Sequence, residues 1–261
     1  MNTKTSVSHV YDIDVRLLNV TEYQRTADVD RVKKMVENYD PKLVGVITVS
    51  LRNGKYHVID GQHRVMLCRS LKIPKIKANV LTGLTLEEEA AYFNAFNGAH
   101  GESVKLRRYD VFRADIIAKE PSAMMILKAA TENGITLGGS SGEGRISAFS
   151  TLYSILGKYG ADHLHRTLRL LVNTWNREAD SFNAKILQAT ADFIHYYSGV
   201  ENYSDAIFIR QLSRVDPKKA IREMKSDSST SISRVQGLNI LFKYYNHGLR
   251  KKIAENIHFR S

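Results

Sequence analysis

Within five residues, Asp60-Gly61-Gln62-His63-Arg64, the chain exchanges a strand pattern for a helix pattern, and this limits it to folds in which a strand turns directly into a helix. Before the switch, Gly45 to Arg52 (GVITVSLR) and Lys55 to Ile59 are short runs rich in Val and Ile. Asn53-Gly54 joins them and is a strong hairpin signal, because both residues tolerate the positive φ that a two-residue turn requires. After the switch, Val65, Met66, Leu67 and Leu71 recur at helical spacing, so a helix is expected to begin close to Gly61. A strand that turns through glycine into a helix leaves backbone N–H groups unpaired at the positive end of the helix dipole, which suits an anion. Arg64 falls in the first turn, where a cation is unfavourable unless an anion lies nearby, and its guanidinium is well shaped to grip phosphate. The same residues permit a second arrangement, in which Asp60 caps the helix and pairs with Arg64 or His63 and no ligand is involved.

Asp-Gly-Gln-His-Arg, preceded by a hairpin and followed by an apolar helix, resembles the signature box of the ParB/sulfiredoxin superfamily. That box reads Gly-Glu-Arg-Arg in ParB and Gly-Gly-Cys-His-Arg in sulfiredoxin. Upstream, Asn19 to Arg25 (NVTEYQR) resembles the ParB opening segment with its Gln-Pro-Arg-like turn, although the proline is missing. Val29 to Tyr39 places Val29, Val32, Met35 and Val36 on one helical face, matching the family's first helix. Downstream, Lys75 to Leu81 reads as a strand and Leu84 to Asn97 as an amphipathic helix, with a capping box at Thr85 to Glu88 and Gly98 as its stop. The likeness spans roughly residues 11 to 118.

The resemblance implies an α+β fold: a ParB/sulfiredoxin-like mixed small sheet with helices, followed by an all-α C-terminal domain. It also implies a nucleotide or phosphate pocket at Arg25, Gly61, Gln62, His63, Arg64, Asn97 and His100, with CTP or ATP and Mg2+ as the expected ligand. The second ligand-touching motif of ParB is Glu-Asn-x-x-Arg, and here the corresponding stretch is Phe96-Asn97-Gly98-Ala99-His100. Asn97 carries over, while Phe96 and His100 replace the Glu and the Arg. Loss of that carboxylate weakens metal-assisted hydrolysis, since magnesium is usually held by carboxylates plus phosphate. Asn97-Gly98 also reads as an ordinary helix stop. Sulfiredoxin activity is excluded, because Gln62 stands where the thiolate nucleophile would be. Cys68, the sole cysteine, is expected to be a small buried hydrophobe.

With 43% hydrophobic residues over 261 positions the chain has ample material for a core. One cysteine excludes a disulfide framework or Cys-based zinc site and points to a reducing cytoplasm. No apolar run approaches the roughly 18 residues of a membrane span, and the opening MNTKTSVSHVYDIDV lacks a leader-like apolar core. The net charge of +11 is concentrated: residues 214 to 261 hold 11 basic and 4 acidic side chains. Lys218, Lys219, Arg222, Lys243, Arg250, Lys251 and Lys252 are interleaved there with Phe242, Tyr244, Tyr245 and Phe259, a composition that suits a DNA backbone and unstacked bases. It equally suits a solvated basic face over an aromatic core.

From Leu106 onward the pattern is helical, over Leu106–Lys119, Ser122–Asn133, Ile146–Tyr159, Asp162–Trp175 and Phe182–Tyr197, so residues 1–104 and 105–261 are expected to form two domains. Leu137 to Arg145 (LGGSSGEGR) spaces two glycines like a phosphate loop, but Arg145 and Ile146 replace the lysine and the Ser/Thr, and a flexible loop is expected. The same insertion separates the helices too widely for a recognition helix to be assigned. Ser226 to Ser233 reads as a mobile connection. His163 and His165, one residue apart on a helix, point about 200° apart and cannot share a metal; no metal site is expected. Three functions fit. The first is a DNA-associated regulator of a bacterial, plasmid, phage or other mobile system, with a nucleotide pocket at the box. The second is a nuclease or nucleotide hydrolase using His63 as acid or base and Asp60 to orient it or hold a metal. The third is a non-catalytic interaction module.

Overall fold

The computed structural model describes residues 9–97 and 108–255. These divide into two compact units, 1–120 and 121–261. In the first, β1 (His9–Asp14), β2 (Leu18–Asn19), β3 (Ile47–Arg52), β4 (Lys55–Asp60) and β5 (Lys75–Thr82) form one sheet in the order β1-β5-β3-β4-β2. Pairing is mixed: β3/β4 and β1/β5 are antiparallel, β3/β5 and β2/β4 parallel. The β3–β4 hairpin turns at Asn53 (φ 53°) and Gly54 (φ 72°), as the sequence predicts.

Four helices complete this unit: α1 (Val29–Glu37), α2 (Gln62–Ser70), α3 (Leu86–Asn97) and α4 (Arg108–Ile117). Strand alternation sends Val58 and Ile59 to opposite faces of the sheet. Val58 joins Ile47, Val49, Val80 and the α2 residues Val65 and Cys68 in one core, and the lone cysteine is free and buried there. Ile59 joins Tyr23, Leu81, Ala90, Phe93 and Ala114 in a second core beneath α3 and α4. Arg52 of β3 and the fully buried Glu89 of α3 pair through two bonds, Nε to Oε1 at 2.9 Å and Nη2 to Oε2 at 3.3 Å, fixing α3 against the sheet. The Thr85–Glu88 capping box starts α3 with both reciprocal hydrogen bonds in place.

The second unit is built on α8 (Ala184–Tyr197), surrounded by α6 (Phe149–Tyr159), α7 (Ala161–Trp175), α10 (Pro217–Ser226) and α11 (Ser233–Asn246), with α5 (Pro121–Glu132) and α9 (Asp205–Leu212) completing it. Most of α8 is buried, including Asp192 at 0% exposure. That carboxylate accepts from Arg234 of α11, from Tyr159 Oη of α6 at 2.5 Å and from Gln188 Nε2 at 3.0 Å.

Four features differ from sequence expectation. The division falls at Glu120/Pro121 rather than 104/105, because Asn94 of α3 donates to the Val111 carbonyl and to Asp115 Oδ1 of α4, and Ala114 enters the α3 core. The Leu137–Arg145 loop is pinned at its ends by parallel pairing of Thr136–Leu137 with Arg145–Ile146, a second small sheet in a region expected to be only helix and loop. The Ser226–Ser233 stretch is clamped by Gln236 Nε2, which donates to the carbonyls of Asp227 and Thr230. On α1 only Val32 is buried, and Val29 is exposed.

Candidate functional site

The strand-to-helix switch forms the wall of a cavity of about 280 Å³. Gly61 closes β4 and opens α2 with φ +101°, a conformation that residues with a Cβ rarely adopt. A Cβ there would sit 2.8 Å from Ile47 Cβ and 2.4 Å from its Cγ2, so close packing excludes a side chain independently of backbone preference. No side chain caps α2, and the first-turn N–H groups of Gln62, His63 and Arg64 have no intrahelical acceptor.

Four separate segments supply the remaining walls, one of them through Leu43 of the Pro41–Leu43 turn. Gln24 hangs beneath β4, its Nε2 donating to the carbonyls of Val58 at 2.6 Å and Ile59 at 3.3 Å, and this places Arg25 beside the box. Arg31 and Met35, one turn apart on α1, face the same space. Phe93 and Asn97 approach from α3, with Asn97 Nδ2 donating to the Phe93 carbonyl of its own helix at 2.9 Å. The cavity therefore gathers Arg25, Asp60, Gly61, Gln62, His63, Arg64 and Asn97, all singled out in the sequence. His100 lies outside the described residues.

Charge is unevenly shared. Arg64 donates to Asp60 Oδ2 at 2.5 Å and to the Val46 carbonyl at 2.6 Å, so Asp60 pairs with Arg64 without capping the helix. Arg25 and Arg31 make no ion pair among the described residues. Arg31 and Gln24 were not legible as site residues: the available signals were a basic position one helical turn from Met35 and a glutamine beside Arg25, and neither stands out without the fold. No hydrogen bond joins His63 to Asp60. Instead His63 Nε2 accepts the Asp28 backbone N–H at 3.1 Å, which ties α2 to the start of α1 and commits that nitrogen's lone pair. Asp28 itself caps α1, and the Arg31 N–H donated to its carboxylate holds it below the usual aspartate range.

In the second unit Lys218, Lys219 and Arg222 lie exposed on α10, opposite its buried Pro217, Ala220, Ile221 and Met224. Lys218 Nζ is 3.7 Å from Asp180, and Lys243 Nζ is 3.4 Å from Glu223. Arg250, Lys251 and Lys252 are exposed after α11. The aromatic neighbours expected to stack on bases serve the core: Tyr245 is fully buried against Phe193 and Tyr203, and Phe242 packs on Tyr197. Phe259 lies outside the described residues. Among the described residues no group of three or more His, Cys, Asp or Glu is placed to hold a metal, and no helix is long and apolar enough to cross a membrane.

Burial, and then the charges of Arg31 and Arg25, hold His63 below the ordinary histidine range. A histidine with a lowered folded pKa binds fewer protons folded than unfolded below about pH 6.5, so its contribution is intact above that pH and declines as acid is added. His63→Gln, which retains an acceptor for the Asp28 N–H, is expected to flatten the fall in urea midpoint between about pH 7 and about pH 5. The share due to His163, also lowered by burial, remains in the variant. Identical pH profiles for the two proteins would refute the His63 assignment.

No curated protein matches this chain. It is similar to the solved pNOB8-like ParB N-domain, at 12% identity and a TM-score of 0.41, covering 92% of this chain and 97% of that one. A second form of the Pnob8-like ParB-N domain is similar at 15% identity and a TM-score of 0.35, covering 89% and 94% of the two chains. A family model described as "Family of unknown function (DUF6551)" matches residues 19–257, spanning both units, and the chain belongs to that family.

Proposed function

We propose that this protein is a ParB-like DNA-associated protein of a bacterial, plasmid or phage system, which binds the phosphate chain of a nucleotide at the box and contacts DNA through the basic surface of its helical unit. One observation carries the reading: the uncapped start of α2 and the guanidinium groups of Arg25, Arg31 and Arg64 meet in one cavity whose single carboxylate among the described residues, Asp60, is already held by Arg64. The excess is positive, and the N–H groups without an intrahelical acceptor favour an anion at the same point. At about 280 Å³ the cavity lies just below the usual range for ligand pockets, in keeping with a phosphate chain as the part it encloses. Gly61 keeps the α2 start at the strand end, since any side chain there would meet Ile47. With Asp60 engaged and Phe96 in place of a carboxylate, a magnesium ion would come held chiefly by the nucleotide's own phosphates. On the helical unit, Lys218, Arg222 and Lys225 fall at i, i+4 and i+7 of α10, a line of exposed cations suited to backbone phosphates rather than base edges.

Calorimetric titration with CTP, ATP and GTP, with and without magnesium, tests the pocket. At least one nucleotide is expected to bind, weakened about tenfold or more by Arg64→Ala and also by Arg25→Gln, which disturbs no ion pair. Absence of binding to all three, or binding indifferent to both variants, would overturn the reading. Replacing Lys218, Lys219 and Arg222 together by Gln is expected to reduce the slope of log K against log salt for duplex DNA by about 2 to 3. An unchanged slope would remove α10 from the DNA contact.

A further inference from the structure

The helical unit contains a second cavity, of about 270 Å³, that the reading above does not use. It is lined by Thr151, Lys185, Gln188, Ser233, Arg234 and Gly237, together with two alanines, and by no carboxylate among the described residues. Thr151 lies in the first turn of α6, Lys185 in the first turn of α8, and Ser233 and Arg234 in the first turn of α11. First-turn residues of three helices therefore line one space, flanked by Gln188 and Ala189 from the next turn of α8 and by Gly237 from that of α11. Two of these helices start without a side-chain cap, at Ala148 and at Ile232. Gly237 makes the convergence close: a Cβ there would lie 2.7 Å from Ala189 Cβ, so α11 and α8 touch where the cavity begins.

The side chains add chemistry to the helix ends. Lys185 Nζ donates to the Met224 carbonyl and to Gln236 Oε1, each at 3.1 Å, which leaves one of its three donors without a partner among the described residues. Arg234 is held rigidly by Asp192 and Tyr159 through Nε and Nη2, and its Nη1 makes no hydrogen bond among the described residues. Burial and the neighbouring Lys225 lower the Lys185 pKa against the opposing charge of Asp227, and an incoming anion would favour its charged form.

We propose that this cavity is a phosphoryl-binding site, distinct from the box, in which Lys185, Arg234 Nη1 and the Thr151 and Ser233 hydroxyls surround a tetrahedral anion at the joint start of α6, α8 and α11. The phosphoryl group belongs either to a small free phosphate ester or to a DNA backbone, and the chemistry of the cavity is the same for both. The site stands independently of nucleotide binding at the box.

Titration calorimetry of the full chain with inorganic pyrophosphate tests this, in the wild type and in Arg64→Ala, Lys185→Gln and Ser233→Asp. Ser233→Asp places a carboxylate at the start of α11, where it favours the helix while repelling an anion, so it separates loss of the site from loss of the fold. The expected result is a binding component that survives Arg64→Ala and is weakened about tenfold or more by both Lys185→Gln and Ser233→Asp. Absence of any component in Arg64→Ala, or one that both other variants leave unchanged, overturns the proposal. Competition between pyrophosphate and a duplex oligonucleotide for the surviving component assigns the phosphoryl group to DNA; independent binding of the two assigns it to a small ester.

Discussion

The α+β unit depends on how tightly β4 turns into α2 at Gly61. A left-handed backbone with no room for a Cβ lets the chain reverse within one residue, so the first N–H groups of α2 emerge at the end of the strand. Ile47 sets this limit from β3, held by its pairing with Ala78 of β5, while the next residue, Thr48, pairs with Asp60 in the β3–β4 hairpin. The Val and Ile pattern that makes the hairpin thus also determines where the helix can start. A wider turn would open space at Gly61 and move the helix start away from the strand end.

The cations reach that point by a different route. Gln24 is fastened to the carbonyls of Val58 and Ile59, and His63 accepts the N–H at the start of α1, so the Arg25 and Arg31 segments are stitched to the two sides of the turn. His63 serves here as a structural acceptor as well as a wall of the cavity. Arg64 has a divided role: Asp60 and the Val46 carbonyl orient it, and Arg25 and Arg31 carry the charge left uncompensated. The helical unit repeats this logic with Arg234, which a buried Asp192 orients while part of its guanidinium has no partner among the described residues.

Much of this was legible from local chemistry. The hairpin at Asn53-Gly54, the helix start at Gly61 and the capping box at Thr85 each depend on a few adjacent residues, and each lies where the sequence places it. Arg25, Asp60, Gly61, Gln62, His63, Arg64 and Asn97 line one cavity, although only the box residues are contiguous. What escaped the sequence depends on long-range packing. Arg31 becomes a site residue only because His63 draws α1 to the box, and α4 joins the first unit only because Asn94 and the α3 core receive it. Tyr245 and Phe242 read as a stacking platform because alternation with lysines is visible in sequence, whereas their packing against α8 is not. The meeting of three helix starts around Lys185 has no local signature, since Thr151, Lys185 and Ser233 lie far apart along the chain.

The central claim is that the uncapped turn at Gly61 receives an anion. Amide-resolved NMR during addition of inorganic triphosphate tests it at the atoms concerned. The account predicts saturable shifts of the Gln62, His63 and Arg64 amide signals, the three first-turn N–H groups of α2. Signals at these three positions that stay fixed through the titration would contradict it and leave the box as a structural turn alone.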